Sequence, residues 1–324
     1  MNYEEFKTEL QEKIQEKFLQ NIEFVSEMVS LTNETVEGMV LKFEGSEGID
    51  ISIYPEKLYE QYKDGITIPE MAEYFSKEIL HSLENKPKMP EISVENAKKC
   101  ILFSLVNKEK NKDLLEICPH MDVHDMAALL RWHISEEESF LVDNSIMQKL
   151  QMTKEELLMI AKKNTENQKF ICEEMTGLMR DSMLRSGIEK EVVDEVIPMA
   201  QTPFYIISNE NYFEGSSVML SNTFLQKVAN KLGCDELFII PSSRHEILVT
   251  NPDLPLDSQA LKEIVQEVNS DSKVIKTEDF LSNSIYKYNV KNYTLSMCDN
   301  KGIFHDKGIK KDNEKKDSGR GRKL

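Results

Sequence analysis

One short stretch of the sequence concentrates side chains that could do chemistry. Ser242, Ser243, Arg244, His245 and Glu246 follow one another between two predicted strands. A histidine can activate a serine for nucleophilic hydrolysis when an acid orients that histidine. On an extended chain Ser243 and His245 point to one face and Glu246 to the other, so Glu246 is poorly placed to orient the imidazole. Three interpretations remain, in this order: a structural polar turn, a contact for a ligand or partner, and hydrolytic catalysis.

A second cluster consists of His120, Asp122 and His124, which share one face if the chain is extended there. Imidazole and carboxylate groups at this density can bind zinc or iron, and a metal-dependent enzyme is one hypothesis. The alternative is a junction between a helix and a strand with partly exposed histidines. No second ligand group with a recognisable spacing occurs, and both common glycine-rich phosphate loops are missing from the sequence. We therefore predict no cofactor and commit to no metal site, with His120, Asp122 and His124 as the candidate ligands.

The charge of the chain limits its partners. The sequence has 57 acidic and 40 basic residues, a net charge of -17. Residues 307–324 contain eight Lys or Arg and three Asp or Glu, a net charge of +5, so residues 1–306 carry -22. A body this acidic repels nucleic acid. The basic tail is either a solvated, disordered end or a non-specific, salt-sensitive contact for nucleic acid, because it has no aromatic residue for base stacking.

Cysteine usage and hydropathy indicate the compartment. The five cysteines are odd in number, far apart and without a C-x-x-C pair, which argues against a disulfide framework. The first residues lack the apolar core of a signal peptide, and no apolar run approaches the roughly 20 residues needed to cross a bilayer. We expect a cytoplasmic protein with no membrane contact.

Apolar spacing predicts the elements that must position these clusters. An amphipathic helix is expected over 3–18, and T-x-x-E capping pairs beginning at Thr67 and Thr153 open two more helices. A helix opened by Ser93 is expected to continue to Leu105. Further helices are expected from Pro55, over 172–184 with its methionines inward, over 224–232 and over 261–269. Strands are expected at 38–43, 49–54, 123–134, 139–143, 204–208, 217–220, 237–240 and 246–250, with a closing hairpin from 282–290 and 293–297.

Short connections between strands, with helices inserted between strand pairs, predict an α+β fold. We expect a mixed or mainly antiparallel sheet with helices packed on it. Two α+β subdomains are predicted, residues 1–189 and 190–298, followed by a basic disordered tail over 299–324.

Six blocks of the sequence carry a resemblance to known proteins: ISIYPEKLYEQYKDG (51–65), LVNKEKNKDLLEICPHMDVHDMA (105–127), MTKEELLMIAKKNT (152–165), FYIISNENYFEGSSVML (204–220), LFIIPSSRHEIL (237–248) and EVNSDSKVIKTEDFLSNSIYKY (267–288). They resemble a bacterial family of uncharacterised cytoplasmic proteins, domain of unknown function family 5688. The resemblance covers about residues 1–290 in order. A looser likeness, over about 135–290, links the chain to another uncharacterised bacterial family.

The resemblance implies an intracellular unit but supplies no activity and no catalytic residue. We therefore expect a non-enzymatic intracellular protein that binds a partner or small ligand, with Ser242–Glu246 as its contact. The alternatives are an enzyme that uses His245 or the His120 and His124 cluster, and weak nucleic-acid contact through the tail.

Overall fold

The computed structural model describes residues 1–43, 51–84, 90–136, 138–197, 204–253, 258–271, 274–299 and 302–305. The predicted loop at 44–48 and residues 306–324 of the predicted disordered tail lie outside these ranges. The start of that predicted tail is ordered, because residues 304–305 pair as a strand with residues 297–298. No helix in the described ranges is long and apolar enough to cross a membrane.

The first 84 residues build an N-terminal module with its own core. Its elements are α1 (Tyr3–Gln15), β1 (Ile22–Leu31), β2 (Glu34–Phe43), β3 (Ile51–Ile53), α2 (Pro55–Lys63) and α3 (Ile68–Glu84). Phe6, Leu10 and Ile14 of α1 recur every fourth residue and are fully buried, as the amphipathic pattern predicts. All buried members of this module's cluster lie between residues 6 and 79.

The N-terminal sheet differs from the expectation at its first strand. Its order is β1-β2-β3, and both pairings are antiparallel. Strand β1 carries Ser26, Glu27 and Ser30 among its apolar residues and is half-exposed, so it has no clear alternating pattern. Strand β1 ends at Leu31 and β2 begins at Glu34, so the tight hairpin between them turns at Thr32 and Asn33.

Two antiparallel sheets and the helices between their strands form the rest of the described chain. We call this part the body. Its first half contains α4 (Val94–Cys100), β4 (Ile101–Asn107), α5 (Lys112–Ile117), β5 (His120–Val123), β6 (Met126–His133), β7 (Ser139–Leu141), α6 (Asn144–Leu150) and α7 (Lys154–Asn167). Strand β6 is central, between β4 and β5, and also pairs with β7. The expected helix does open at Ser93, which caps α4, but its continuation to Leu105 is wrong. The apolar run from Ile101 pairs instead as a strand with β6.

The second half of the body is organised around a seven-stranded sheet of order β14-β13-β12-β10-β11-β9-β8. Its elements are β8 (Phe170–Glu174), α8 (Met175–Arg185), α9 (Lys190–Val196), β9 (Phe204–Asn209), α10 (Asn222–Leu232), β10 (Glu236–Ile240), β11 (Ile247–Thr250), α11 (Ser258–Ser270), β12 (Tyr286–Asn289), β13 (Thr294–Cys298) and β14 (Phe304–His305). Two 3-10 turns, Gly215–Leu220 and Thr277–Asp279, complete it.

Three expectations in this half are corrected. The strand expected at 217–220 is a buried 3-10 turn, held by the bond from the Ser216 N–H to the Arg244 carbonyl. The helix expected over 172–184 is preceded by β8, because residues 170–174 pair with β9. Its methionines are not inward: Met179 is exposed, and Met175 and Met183 are only half-buried.

The α+β class is confirmed. Every strand pairing in the described residues is antiparallel, and helices pack against the sheets. The largest hydrophobic cluster joins side chains from residue 97 to residue 295, so it draws on both sides of the predicted boundary at 189/190. The division into two subdomains stays a prediction.

Candidate functional site

The polar stretch Pro241–Glu246 forms the connection between β10 and β11, and it turns inward. The Ser243 N–H donates to the Glu246 carbonyl at 3.2 Å, which closes the turn. The Ser208 hydroxyl donates to the His245 carbonyl at 2.6 Å. Gly215 lies so close that a Cβ there would come within 2.6 Å of the same carbonyl oxygen. The turn is therefore packed between β9 and the 3-10 turn that begins at Gly215.

His245 is held on both sides of its imidazole ring. The Glu214 N–H donates to Nδ1 at 3.2 Å, and Nε2 lies 2.9 Å from Asp279 Oδ1. Because Nδ1 accepts a hydrogen bond, Nε2 carries the proton and donates it to Asp279. The acid that orients His245 is thus Asp279, which the sequence did not indicate.

The hydrogen bonds around this turn do not join Ser243 to the imidazole of His245, as the hydrolytic alternative would require. Ser243 Oγ accepts from the backbone N–H of His245 at 3.1 Å, while the imidazole bonds to Asp279 and Glu214. This arrangement is that of a turn in which the hydroxyl satisfies a backbone group. A nucleophile needs its hydroxyl proton within reach of the base, so the geometry gives Ser243 no such role.

Glu214 is the centre of the polar contacts around the turn. Its side chain is 2% exposed, and its backbone is left-handed with φ of 55°. Oε1 lies 2.9 Å from Arg131 Nε and 3.1 Å from Arg244 Nη2. Oε2 lies 3.5 Å from His133 Nε2, which is longer than a normal hydrogen bond. One buried carboxylate is therefore shared by two guanidinium groups and an imidazole.

The charges in this cluster set the ionisation of its acids. Burial opposes ionisation of Glu214, but His133, Arg131 and Arg244 together outweigh it and hold the pKa below its ordinary value. Burial lowers the pKa of Arg131, although Glu214 opposes that shift. Burial also raises the pKa of Glu246, and His245 only partly counteracts it. Glu214 is thus the ionised acid between the two arginines. Glu246 keeps its proton to a higher pH than an ordinary glutamate does.

Three buried polar atoms of this cluster have no hydrogen-bond partner among the residues that the structure describes. They are His133 Nε2, Glu214 Oε2 and Arg244 Nε. Buried polar atoms in native proteins are nearly always hydrogen-bonded to protein, water or a ligand. Two of them, His133 Nε2 and Glu214 Oε2, lie 3.5 Å from each other, at the outer limit of hydrogen-bond distance. The third belongs to Arg244, whose Nη2 bonds to the same carboxylate.

The cluster lies where the N-terminal module meets the body. Thr32 Oγ1, at the β1–β2 hairpin, accepts from Arg244 Nη1 at 3.0 Å. The Asn33 amide donates to the carbonyl oxygens of Thr277 at 2.9 Å and Phe280 at 2.6 Å. The same 3-10 turn carries Asp279, the partner of His245. The hairpin tip and the Thr277–Asp279 turn therefore border the same site. Small-molecule sites often lie at junctions of this kind between domains.

We call this set the Glu214 cluster: Arg131, His133, Glu214, Arg244, His245 and Asp279. Ring contacts add Phe213, whose centroid lies 6.0 Å from that of His133 and 6.2 Å from that of His245. His245 and Asp279, with 29% and 24% of their side chains exposed, are its most exposed members and form its outer edge. Ser242 and Glu246 flank the turn and are also partly exposed.

The second predicted cluster does not assemble as one ligand set. His120 Nε2 lies 3.9 Å from Asp122 Oδ1, and both side chains border a surface cleft of about 480 Å³. His124 sits in the β5–β6 turn, and its Nε2 lies 2.8 Å from the Leu295 carbonyl. Within the described part of the chain, no group of three or more His, Cys, Asp or Glu could hold a metal ion.

Sequence reasoning found Arg244 and His245 but missed the other members of the Glu214 cluster. One signal was available: Arg131 interrupts the apolar run of β6, and a charged residue inside a buried strand needs a partner. Glu214 and Asp279 also lie inside the family-like blocks, but neither has a local pattern that marks it.

The comparisons place the chain in a family. The model of a family described as "Family of unknown function (DUF5688)" matches residues 3–290, so the chain belongs to that family. The expected resemblance is thereby confirmed. No curated protein and no solved structure matches the chain.

Proposed function

We propose that this protein is a non-enzymatic cytoplasmic protein of bacteria that binds a small polar ligand at the Glu214 cluster. The observation that carries the proposal is the set of three buried, unpartnered polar atoms on His133, Glu214 and Arg244. Leaving such atoms unsatisfied costs about 1–3 kcal/mol each, and more for charged groups. A ligand that satisfies them recovers that energy on binding.

The three atoms specify the chemistry of the ligand. Glu214 Oε2 is ionised and can only accept, whereas Arg244 Nε can only donate. His133 Nε2 can do either, depending on its tautomer. A group with adjacent donor and acceptor atoms, such as an amide or a hydroxyl, therefore fits. A carboxylate or phosphate lacks the donor and would meet the negative charge of Glu214, which already pairs with both arginines.

The state of the cysteines supports the cytoplasmic part of the proposal. All five are free thiols, and two of them, Cys118 and Cys298, are buried. Burial raises the pKa of both thiols, so they are poor nucleophiles and act as small apolar side chains. Unpaired cysteines of this kind are typical of a reducing compartment.

Acetamide and acetate are a matched pair of probes for the ligand class, because they have nearly the same shape and differ in the donor and the charge. We expect saturation-transfer NMR to show acetamide binding to the wild-type protein and acetate not binding. Very small ligands gain at most about 1.5 kcal/mol of binding free energy per non-hydrogen atom. We therefore expect acetamide to bind with millimolar affinity, which saturation-transfer NMR detects.

Two variants locate the binding. Arg244→Lys keeps the charge but removes the Nε donor, and it should abolish the acetamide signal. Ser243→Ala removes a hydroxyl that only caps the turn, and it should leave the signal unchanged. Equal signals from the two probes, or an unchanged acetamide signal in Arg244→Lys, would contradict the proposal.

A further inference from the structure

We propose that the α8–α9 hairpin is a docking surface for a basic amphipathic helix of a partner protein. The hairpin spans residues 175–197, follows the edge strand β8, and lies in a different part of the body from the Glu214 cluster. The proposal rests on what the fold leaves uncovered there and on the charges beside it.

The hairpin contributes almost nothing to the hydrophobic core. Among residues 175–197, all of which the structure describes, only Thr176 and Val193 are buried. Five large apolar side chains are instead exposed: Met179 by 47%, Leu184 by 41%, Ile188 by 36%, Val192 by 44% and Val196 by 62%. Exposed apolar side chains that lie together on a surface mark interaction sites, whereas singly scattered ones do not.

Polar contacts hold the two helices together without using these apolar side chains. The guanidinium group of Arg180 on α8 pairs with the Asp194 carboxylate of α9 and donates to the Ile197 carbonyl at its end. The arrangement of the hairpin therefore persists while its apolar rows remain available.

The apolar side chains are spaced as rows. On α8, Met175, Met179 and Met183 recur every fourth residue and lie along one side of the helix. On α9, Val192 and Val196 do the same. Methionine side chains are flexible and polarisable, and surfaces rich in methionine adapt to partner helices. Amphipathic helices bind partner proteins by laying their apolar side chains on exposed apolar rows of this kind.

Charge selects the partner. Exposed Glu191 and Glu195 form a second row beside the valine row of α9, one residue earlier and about 100° around the helix. A helix that lays apolar residues on Val192 and Val196 therefore gains from Lys or Arg at its flank. A second copy of this chain carries the same net charge of -17 and would be repelled.

A labelled synthetic peptide of about 15 residues, with leucine and lysine in amphipathic helical order, tests the surface by fluorescence anisotropy. We expect it to bind wild-type protein and to bind less tightly as salt rises. A peptide with glutamate in place of lysine should not bind. The double variant Val192→Gln and Val196→Gln should weaken binding about tenfold or more, since both side chains are exposed anchors.

A matched control exists on α11. Ile264 and Val268 are exposed by 46% and 43%, have the same spacing, and lie beside exposed Glu263 and Glu267, but on a helix outside the hairpin. The variant Ile264→Gln and Val268→Gln should bind the peptide as tightly as wild type. Both double variants should keep the wild-type melting temperature, because the substituted side chains lie outside the core.

Several results would overturn the proposal. These are unchanged binding in the α9 variant, an equal loss in the α11 control, and equal binding of the glutamate peptide. Dimers of the wild-type protein that dissociate in the α9 variant, seen by light scattering, would show that a second copy occupies the surface instead.

Discussion

Replacing Glu214 by glutamine tests whether the cluster is energetically coupled. In the structure, Glu214 Oε1 lies 2.9 Å from Arg131 Nε and 3.1 Å from Arg244 Nη2, and the carboxylate is 2% exposed. Glutamine has nearly the same shape and keeps an oxygen that can accept from Arg244. The substitution therefore removes the negative charge between two guanidinium groups and little else.

The expected loss of unfolding free energy is about 3 kcal/mol. Removing one partner of a buried ion pair typically costs about 3–5 kcal/mol, because the remaining charge is left uncompensated. The lower end applies here, since Arg131 keeps hydrogen bonds to Ser139 and Arg244 keeps its bond to Thr32. The left-handed backbone at Glu214 is unchanged by glutamine, so its strain does not alter the difference.

Urea unfolding followed by circular dichroism measures this loss. Glu73→Gln is the matched control: Glu73 also contacts two cations, Lys17 and Lys77, but its side chain is 48% exposed. Exposed ion pairs contribute about 0–1 kcal/mol, so the control should stay close to wild type. A loss for Glu214→Gln as small as that of Glu73→Gln would refute the reasoning that the cluster is buried and coupled.

Three further predictions follow from the same contacts and from the charge distribution. The folded-state pKa of Glu214 lies below its ordinary value of 4.5, so its stabilising effect is full above 4.5 and is lost as the pH falls below it. The stability difference between wild type and Glu214→Gln should shrink over that acidic range; a constant difference would contradict this. Asn33→Gly keeps the left-handed backbone but loses the hydrogen bonds from the side-chain amide to the carbonyl oxygens of Thr277 and Phe280. It should lower the free energy of unfolding in urea by about 2–3 kcal/mol. An effect near zero would show that the hairpin tip does not hold the N-terminal module to the body. Deletion of residues 307–324 removes few apolar residues, so the melting temperature should be nearly unchanged. Because the deletion changes the net charge from -17 to -22, weak retardation of DNA at low salt should be lost. Equal retardation by both forms would exclude the tail as the contact.

Local signals predicted local structure well. The capping pairs of Thr67 with Glu70 and Thr153 with Glu156 form as expected, since each joins residues three apart at a helix start. Gly233 ends α10 in the left-handed conformation for the same kind of reason.

Elements decided by tertiary pairing were harder to predict. The run Ile101–Asn107 is apolar throughout, and such a run fits a buried strand as well as a helix until its pairing with β6 is known. Strand β1 has the opposite difficulty, because one of its faces is too exposed to show an apolar alternation.

The candidate site depends on both local sequence and long-range contacts. The turn at 241–246 was visible because its polar residues are consecutive in the sequence. Its partners are remote: Glu214 is 30 residues from Arg244, Asp279 is 34 from His245, and Thr32 is 212 from Arg244. No spacing rule connects positions so far apart, so the carboxylate at the centre of the cluster could be found only in the folded chain.

The most direct test of ligand binding at the Glu214 cluster observes Arg244 Nε itself. The Nε–Hε group of an arginine gives its own cross-peak in a nitrogen–proton correlation spectrum, and Arg244→Lys assigns it by loss of that peak. The account predicts that acetamide shifts this cross-peak saturably and that acetate does not. A cross-peak that moves with neither probe, or equally with both, would contradict it.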